Sequence, residues 1–308
     1  MAEVFLRTLP FFGLIGLGWL AAASRVFPPE GAAWLTRFVF YFALSAMLFR
    51  FAAGLDLAAI FDPRFVLAYL TGSLAVWAIG MTVARARGLP LPEAAMEAHC
   101  CMTGNTGFLG VPMLVALMGP VAVGPLLMVL TIDMLVFSAL ITLIVHGARQ
   151  GGLRLAAVLP VLRGLAGNPM ILSMLAGLAW AQSGWIMPRP LDEFLTLLGA
   201  AATPGALFAI GAGLAGRRLV RVAAAGWLSA AKLVLHPLAV ALTAWAFGVP
   251  PVAAAVMVAA SALPVAGNVF MLAEHFRIAP QRVSAAILIS TAASILTIPV
   301  VMLLITTP

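Results

Sequence analysis

The sequence predicts an all-α polytopic membrane protein with ten transmembrane helices, arranged as two inverted five-helix repeats in which helices four and nine are broken and cross. Composition is the first observation: 64% of the 308 residues are hydrophobic, 9% are charged, and the mean hydropathy is +1.13. A soluble core does not need so much apolar surface. The other two observations are a series of span-length apolar segments and a pair of interruptions by Pro, Gly and Asn.

Ten apolar segments follow one another, each close to the length that a bilayer requires. The first half, residues 1–146, and the second half, residues 167–308, each hold five of them, and 147–166 form a short cytoplasmic connection. An N-terminal signal peptide is less favoured than a retained first helix, because Glu3 precedes the apolar run and many spans follow it. The segments are 5–24, 32–54, 64–86, 93–117, 121–146, 169–187, 191–215, 222–247, 251–274 and 282–305.

Basic residues predict how the chain is oriented in the cytoplasmic (inner) membrane. The formal net charge of +7 comes from scattered arginines without a basic-aromatic patch, so it does not indicate nucleic-acid binding. By the positive-inside rule, the connections rich in arginine are cytoplasmic, which places both termini outside. Those connections hold Arg25, Arg85, Arg87, Arg149, Arg154, Arg163, Arg217, Arg218, Arg221, Arg277 and Arg282, against Arg64 and Arg189 on the other side.

The two halves repeat each other. Pro10 and Gly18 are matched by Pro169 and Gly177, 159 residues later in the sequence. Gly104-Asn105 is matched by Gly267-Asn268, and asparagine is rare in this chain. Because five is an odd number, the second repeat must enter the membrane inverted relative to the first. This pattern is typical of secondary transporters.

The segments from Gly104 to Pro112 and from Ala262 to Asn268 interrupt the fourth and ninth helices. Proline removes a backbone donor and clashes with the preceding turn, so both Pro112 and Pro264 should break their helices. Broken backbone at membrane depth is tolerated where it lines protein or a watery cavity. We therefore expect a substrate site at this crossing, with Asn105, Thr106, Gly107, Pro112, Pro264, Gly267 and Asn268 as its candidate residues.

The two asparagines have alternative roles. An amide both donates and accepts hydrogen bonds, so it can hold a carboxylate or replace water around a cation, aided by the positive ends of the half-helices. Alternatively, each amide only satisfies backbone groups that the break sets free.

Two cations are further candidates for balancing a carboxylate. Arg50 lies near the outer end of the second segment, where it either contacts substrate or reaches the outer headgroups. Lys232 lies deep in the eighth segment, followed by His236-Pro237, and a charge at that depth is costly.

Asp133, in the middle of the fifth segment, is the candidate for a coupling ion, which the sequence leaves open between Na⁺ and H⁺. Ser290, Thr291 and Ser294 occupy the repeat-related segment. Asp133 is either part of an ion or proton site or the partner of Lys232 in an ion pair. Glu97 and His99 are expected at a solvated cytoplasmic boundary, with a gate or proton relay as the alternative.

Five motifs of Pro, Gly, Asn and acidic residues recur along the chain: Asn105–Pro112, Ala262-Leu263-Pro264, Ala273-Glu274, Asn168-Pro169 and Pro204–Phe208. Together they resemble the motifs of the auxin efflux carrier family, and most closely those of its bacterial branch, often named malonate transporters. The resemblance covers nearly the whole chain. Asn268-Val269 and Tyr69, Thr71 and Ser73 depart from plant members, and so does the short central connection.

The resemblance implies a fold similar to sodium/bile-acid symporters, usually as a homodimer. It implies a scaffold of helices 1, 2, 6 and 7, a mobile transport domain of helices 3–5 and 8–10, and an elevator-type movement. A small organic anion, such as a mono- or dicarboxylate like malonate, is then the expected substrate rather than auxin.

Other classes of protein fit the sequence less well. The chain shows no paired Asp or His-Glu-x-x-His motif of an intramembrane protease, so it is not expected to be an enzyme, and Cys100-Cys101 form no metal site. No cofactor is expected. A channel, which often carries filter rings, and a non-transporting receptor for a carboxylate are the alternatives to a carrier.

Overall fold

The computed structural model describes residues 2–55, 61–150, 162–164, 166–217 and 219–306. Over these ranges the protein is helical and contains no strand beyond one isolated bridge. The principal helices are α1 (Ala2–Ala23), α2 (Pro29–Ala53), α3 (Pro63–Ala86), α4 (Leu91–Met102), α5 (Thr106–Met118), α6 (Pro120–Ala148), α7 (Pro169–Ser183), α8 (Arg189–Leu214), α9 (Val222–Ala246), α10 (Pro251–Ser261), α11 (Gly267–Phe276) and α12 (Pro280–Thr306).

Seven of these helices are long and apolar enough to cross a membrane: α1, α2, α3, α6, α8, α9 and α12. The fourth apolar segment of the sequence is divided into α4 and α5, and the ninth into α10 and α11. The sequence therefore predicted a polytopic helical membrane protein correctly. The ten-span inverted topology and the outward position of both termini stay predictions. Most of the connection 147–166, including Arg154, lies outside the described residues.

Local chemistry explains where several helices begin. Pro63, Pro169 and Pro251 lie in the first turn of their helices, where the missing N–H group would have no partner in any case. The Asp62 carboxylate accepts a 2.9 Å hydrogen bond from the Arg64 N–H at the start of α3. The Asn168 side chain caps α7 in the same manner, through the N–H groups of the first turn.

The helices pack in two sets. Helix α1 lies along the second half of α8, and α7 lies along the second half of α2. Within the other set, α3 packs against α4 and α9, and α9 packs against α12. Glycine permits the closest of these contacts: the Cα atoms of Gly18 and Gly211 lie against carbonyl groups of the facing helix, where no Cβ atom would fit.

Several polar side chains are buried in the second set, whereas some large apolar side chains face outward. Asp133, Lys232 and His236 are at most 3% exposed. In contrast, Trp34 and Trp245 are mostly exposed, as expected where lipid replaces water around a protein. This arrangement places the ionisable groups of the membrane interior in the packed region around the two helix breaks.

Candidate functional site

The two helix breaks cross each other through backbone hydrogen bonds. The Asn105 N–H donates to the Pro264 carbonyl at 2.9 Å, and the Ala266 N–H donates to the Thr103 carbonyl at 3.1 Å. The chain is extended on both sides because α4 ends at Met102 and α10 ends at Ser261. Two backbone donors that the breaks release are thereby satisfied inside the protein, as membrane depth requires.

Gly104 and Val265 form an antiparallel bridge at the crossing. The Val265 N–H donates to Ser290 Oγ of α12 at 3.1 Å, and the Ser290 hydroxyl donates in turn to the Ile287 carbonyl at 3.2 Å. Ser290, a predicted coupling-ion residue, therefore holds the backbone of the second break. Thr291, its neighbour, is buried, and its carbonyl accepts a hydrogen bond from the Ser294 hydroxyl.

Both candidate asparagines carry amide groups that the described residues leave without partners. Asn105 is 8% exposed, and its side chain makes no hydrogen bond within that part of the chain. Asn268 Oδ1 is buried and also lacks a hydrogen-bond partner there. A buried amide oxygen without a partner, such as Asn268 Oδ1, is costly and needs an explanation in a native protein. The two amides are therefore suited to bind a polar ligand, in addition to the backbone bonds that close each break.

The remaining predicted residues of the breaks shape the chain around these amides. Thr106 begins α5 and Gly267 begins α11, so both half-helices direct their N-terminal ends at the crossing. Gly107 packs against the terminal methyl group of Met170 of α7, which would have to move to admit a Cβ atom. Pro112 is buried where α5 becomes regular after an opening π-helical turn.

Asp133 joins α3 and α5 to α6. Its Oδ1 accepts a 2.8 Å hydrogen bond from the Tyr69 hydroxyl, and its Oδ2 accepts a 3.2 Å hydrogen bond from the Thr106 hydroxyl. Both oxygens of the buried carboxylate are thus engaged by donors, which is how a carboxylate is accommodated away from water. Through Thr106, Asp133 is connected directly to the residue after Asn105.

Lys232 reaches the other break. Its ammonium group donates to the Ser261 carbonyl at the end of α10 and lies 3.1 Å from His236 Nδ1. The opposite ring nitrogen of His236, Nε2, lies 2.9 Å from Ser73 Oγ of α3. Gly104 adjoins Lys232 so closely that an added Cβ atom would lie 3.3 Å from the ammonium nitrogen.

Asp133 and Lys232 do not form an ion pair with each other within the described residues. Each has its own set of hydrogen-bond partners, yet the two groups lie close enough to interact through their charges, so both interpretations of Asp133 stay predictions. Both charged groups are enclosed, because Asp133 is 3% exposed and Lys232 is not exposed at all.

Irregular helical turns place these side chains. Thr106 begins one π-helical turn, Asp133 begins a second, and Lys232 lies in a third, Ala231–Leu235. Such turns rotate the following helix face and are frequent at functional sites. Three helices thus carry an irregular turn at a residue of the candidate site.

Arg50 lies apart from this group in its contacts. It forms an ion pair with Asp192 at the start of α8, with Nε 2.6 Å from Oδ1, and both side chains are about 40% exposed. The pair joins α2 to α8. Its described partner is therefore a carboxylate of the protein itself.

Glu97 is not at a solvated boundary, contrary to the prediction from sequence. Its side chain is 3% exposed and is bonded to Arg87 and Arg282, at 2.8 Å and 2.5 Å. Arg282 also pairs with Glu93 at 3.2 Å and borders a cavity of about 550 Å³. Glu97 is buried because it neutralises two arginines, one from the end of α3 and one from the start of α12.

Sequence reasoning did not assign a role to Tyr69, Ser73 or His236. Their spacing in the sequence could have indicated a role. Tyr69 and Ser73 are four residues apart, which puts both on one face of a helix, and the same spacing separates Lys232 from His236. What the spacing did not reveal is that the two faces meet.

Comparisons with known proteins identify similar membrane transport proteins. The chain matches the family described as "Membrane transport protein" over residues 3–157 and again over 153–302. It is 33% identical over 306 residues to a Rhizobium meliloti (strain 1021) protein named "Putative malonate transporter", covering 97% of this chain and 94% of that protein.

Proposed function

The chain belongs to the membrane transport protein family, that of the auxin efflux carriers, and from this premise we propose that it carries a small organic anion across the inner membrane. The family is one of transporters, which confirms the prediction that the chain is not an enzyme. The proposed substrate is a dicarboxylate of the malonate type, since a relative of similar length bears that name.

One observation carries the proposal: two crossed helix breaks present amides that have no partners among the described residues, next to a buried ammonium group. Asn105 and Asn268 supply donors and acceptors, and Lys232 supplies positive charge close to Gly104. The N-terminal ends of α5 and α11 add partial positive charge at the same place. These are the groups that a carboxylate needs when it leaves water.

Movement of the anion would follow an elevator-type exchange. The set containing α3–α6 and α9–α12 would carry the crossing, while α1, α2, α7 and α8 form the scaffold. Pairwise packing of α1 with α8 and of α2 with α7 supports this division. We further propose that two copies associate through the scaffold as a homodimer.

Uptake by proteoliposomes tests the proposal. Purified protein in liposomes should take up labelled malonate saturably, and unlabelled malonate inside the vesicles should accelerate uptake, because a carrier returns faster when loaded. Protein-free liposomes are the control. Non-saturable flux without this acceleration would indicate a channel. Stabilisation by malonate without any flux would indicate a receptor.

A further inference from the structure

His236 lies between two possible hydrogen-bond partners that demand different protonation states. Its Nδ1 is 3.1 Å from Lys232 Nζ and 3.2 Å from the Ser261 carbonyl oxygen. An ammonium group only donates hydrogen bonds and a carbonyl only accepts them. Nδ1 must therefore be unprotonated to accept from Lys232, and protonated to donate to Ser261.

Ser73 Oγ is the partner of the other ring nitrogen, and as a hydroxyl it can accept from an Nε2–H group or donate to an unprotonated Nε2. With Nδ1 accepting from Lys232, the proton of the neutral imidazole is on Nε2, which donates to Ser73 Oγ at 2.9 Å. A protonated ring keeps this bond and gains an N–H at Nδ1. Protonation thus requires no movement of His236 itself; only Lys232 must leave Nδ1.

The charges around His236 make such an exchange useful. Within the described ranges, the Lys232–His236 pair is faced by three other ionisable groups: Tyr69 of α3, Cys101 of α4 and Asp133 of α6. With Asp133 ionised and Lys232 protonated, the charges of the cluster sum to zero. An arriving dicarboxylate adds two negative charges in a region where unbalanced charge is costly, and one added proton offsets one of them.

We infer that His236 is the proton-binding residue of the carrier: when Lys232 turns from Nδ1 to the substrate carboxylate, His236 takes one proton from water and donates it to the Ser261 carbonyl. Proton and anion then cross the membrane in the same direction. On the other side the carboxylate leaves, Lys232 returns to Nδ1, and the proton is released to water. The inference rests on the proposed function and names its coupling ion.

Anion binding and protonation of His236 must favour each other. If the anion draws Lys232 away from His236 and so favours protonation, protonation of His236 must favour anion binding by the same factor. A proton gradient should therefore drive accumulation of the anion, and a sodium gradient should not.

The experiment uses the full-length protein in liposomes containing a trapped pH dye, with the membrane potential held at zero by potassium and valinomycin. Labelled malonate is the probe. In the wild type, a gradient of about one pH unit, acid outside, should raise steady-state malonate accumulation about tenfold, the equilibrium value for one proton per anion. The dye should report acidification that depends on malonate.

Three variants test whether His236 is the residue that binds the transported proton. His236→Gln should still be stabilised by malonate in a thermal shift, but its uptake should ignore the pH gradient and the dye signal should vanish. His146→Gln, which changes a histidine bonded to the Thr142 carbonyl elsewhere, should behave as the wild type. Ser73→Ala, which removes the partner of Nε2, should shift the pH at which uptake is half-maximal.

Different failures are distinguishable. Malonate uptake by the wild type without proton movement would overturn the inference and leave the proposed function intact. Proton-coupled uptake by His236→Gln, or an unchanged pH profile in Ser73→Ala, would also overturn it. Absence of both uptake and stabilisation by malonate in the wild type would instead overturn the proposed function.

Discussion

Tyr69 and Asp133 are joined by a 2.8 Å hydrogen bond between two helices, across 64 residues of sequence. Tyr69 is fully enclosed, and its ring also lies 6.0 Å from that of His236. The tyrosine thus contacts both Asp133 and His236, the two titratable groups next to it in the candidate site. Its hydroxyl is one of two donors to a carboxylate that has no access to water.

Tyr69→Phe should therefore destabilise the protein and slow transport. The variant leaves Asp133 Oδ1 without its donor, and an unsatisfied buried group costs about 1–3 kcal/mol. We expect a lower melting temperature in detergent and a lower initial rate of malonate uptake. Tyr41, which is about half exposed, provides the matched control. If Tyr69→Phe behaved like Tyr41→Phe in both measurements, the hydrogen bond would not contribute.

Because the two amides lack partners among the described residues, we expect malonate binding to be sensitive to a negative charge at either position. Asn105→Asp or Asn268→Asp keeps the shape of the side chain but puts a negative charge where the anion would bind. Malonate affinity, measured from concentration-dependent thermal shifts, should fall at least about tenfold, equivalent to about 1.4 kcal/mol. We expect little change in melting temperature without malonate at the partly exposed Asn268.

The third asparagine of the chain is the control for this experiment. Asn168 caps α7 through its side-chain oxygen, and aspartate caps helices equally well. Asn168→Asp should therefore bind malonate as the wild type does. Equal affinity in all three variants would remove both crossing amides from the substrate site.

Much of the fold could be predicted from the sequence because the bilayer imposes simple rules. Span length, together with Pro and Gly inside a span, indicated the helices and both interruptions before any contact was known. Hydropathy could not indicate partners across helices. Glu97 was misplaced at a solvated boundary because its two neutralising arginines come from positions 10 residues before it and 185 residues after it.

The candidate site could likewise be predicted from the sequence only in part. Asn105, Asn268, Lys232 and Asp133 were identified because polar groups are rare in apolar segments. Whether Asp133 and Lys232 touch each other depends on helix rotation, which three π-helical turns alter. A regular 3.6-residue period cannot anticipate these turns, so the separate partners of the two charges emerged only from the structure.

Gly104 should resist substitution because of its neighbours. An alanine methyl group would lie 3.2 Å from the Ala260 carbonyl and 3.3 Å from Lys232 Nζ, closer than side chains normally pack. Gly104→Ala should therefore displace Lys232 and reduce malonate uptake more than it lowers the melting temperature. Gly213→Ala, at a helical position with open space, should retain uptake and be slightly stabilised. Full activity of Gly104→Ala would show that the position of Lys232 is not critical.

Glu97 offers a test of stability that is separate from the substrate site. Glu97→Gln removes one of the two carboxylates that pair with Arg282, which is only 6% exposed and keeps its contact with Glu93. Breaking a buried ion pair so that one charge is left alone costs about 3–5 kcal/mol, and since Glu93 offsets part of this cost, the melting temperature should fall by less than that full loss implies. Glu193→Gln removes the carboxylate of the exposed Arg189–Glu193 pair and should have no measurable effect, because water already solvates both groups. Restoration of stability when Arg282→Met is added to Glu97→Gln would show that the loss comes from the incompletely neutralised arginine. A Glu97→Gln protein as stable as Glu193→Gln would contradict the burial of this charge.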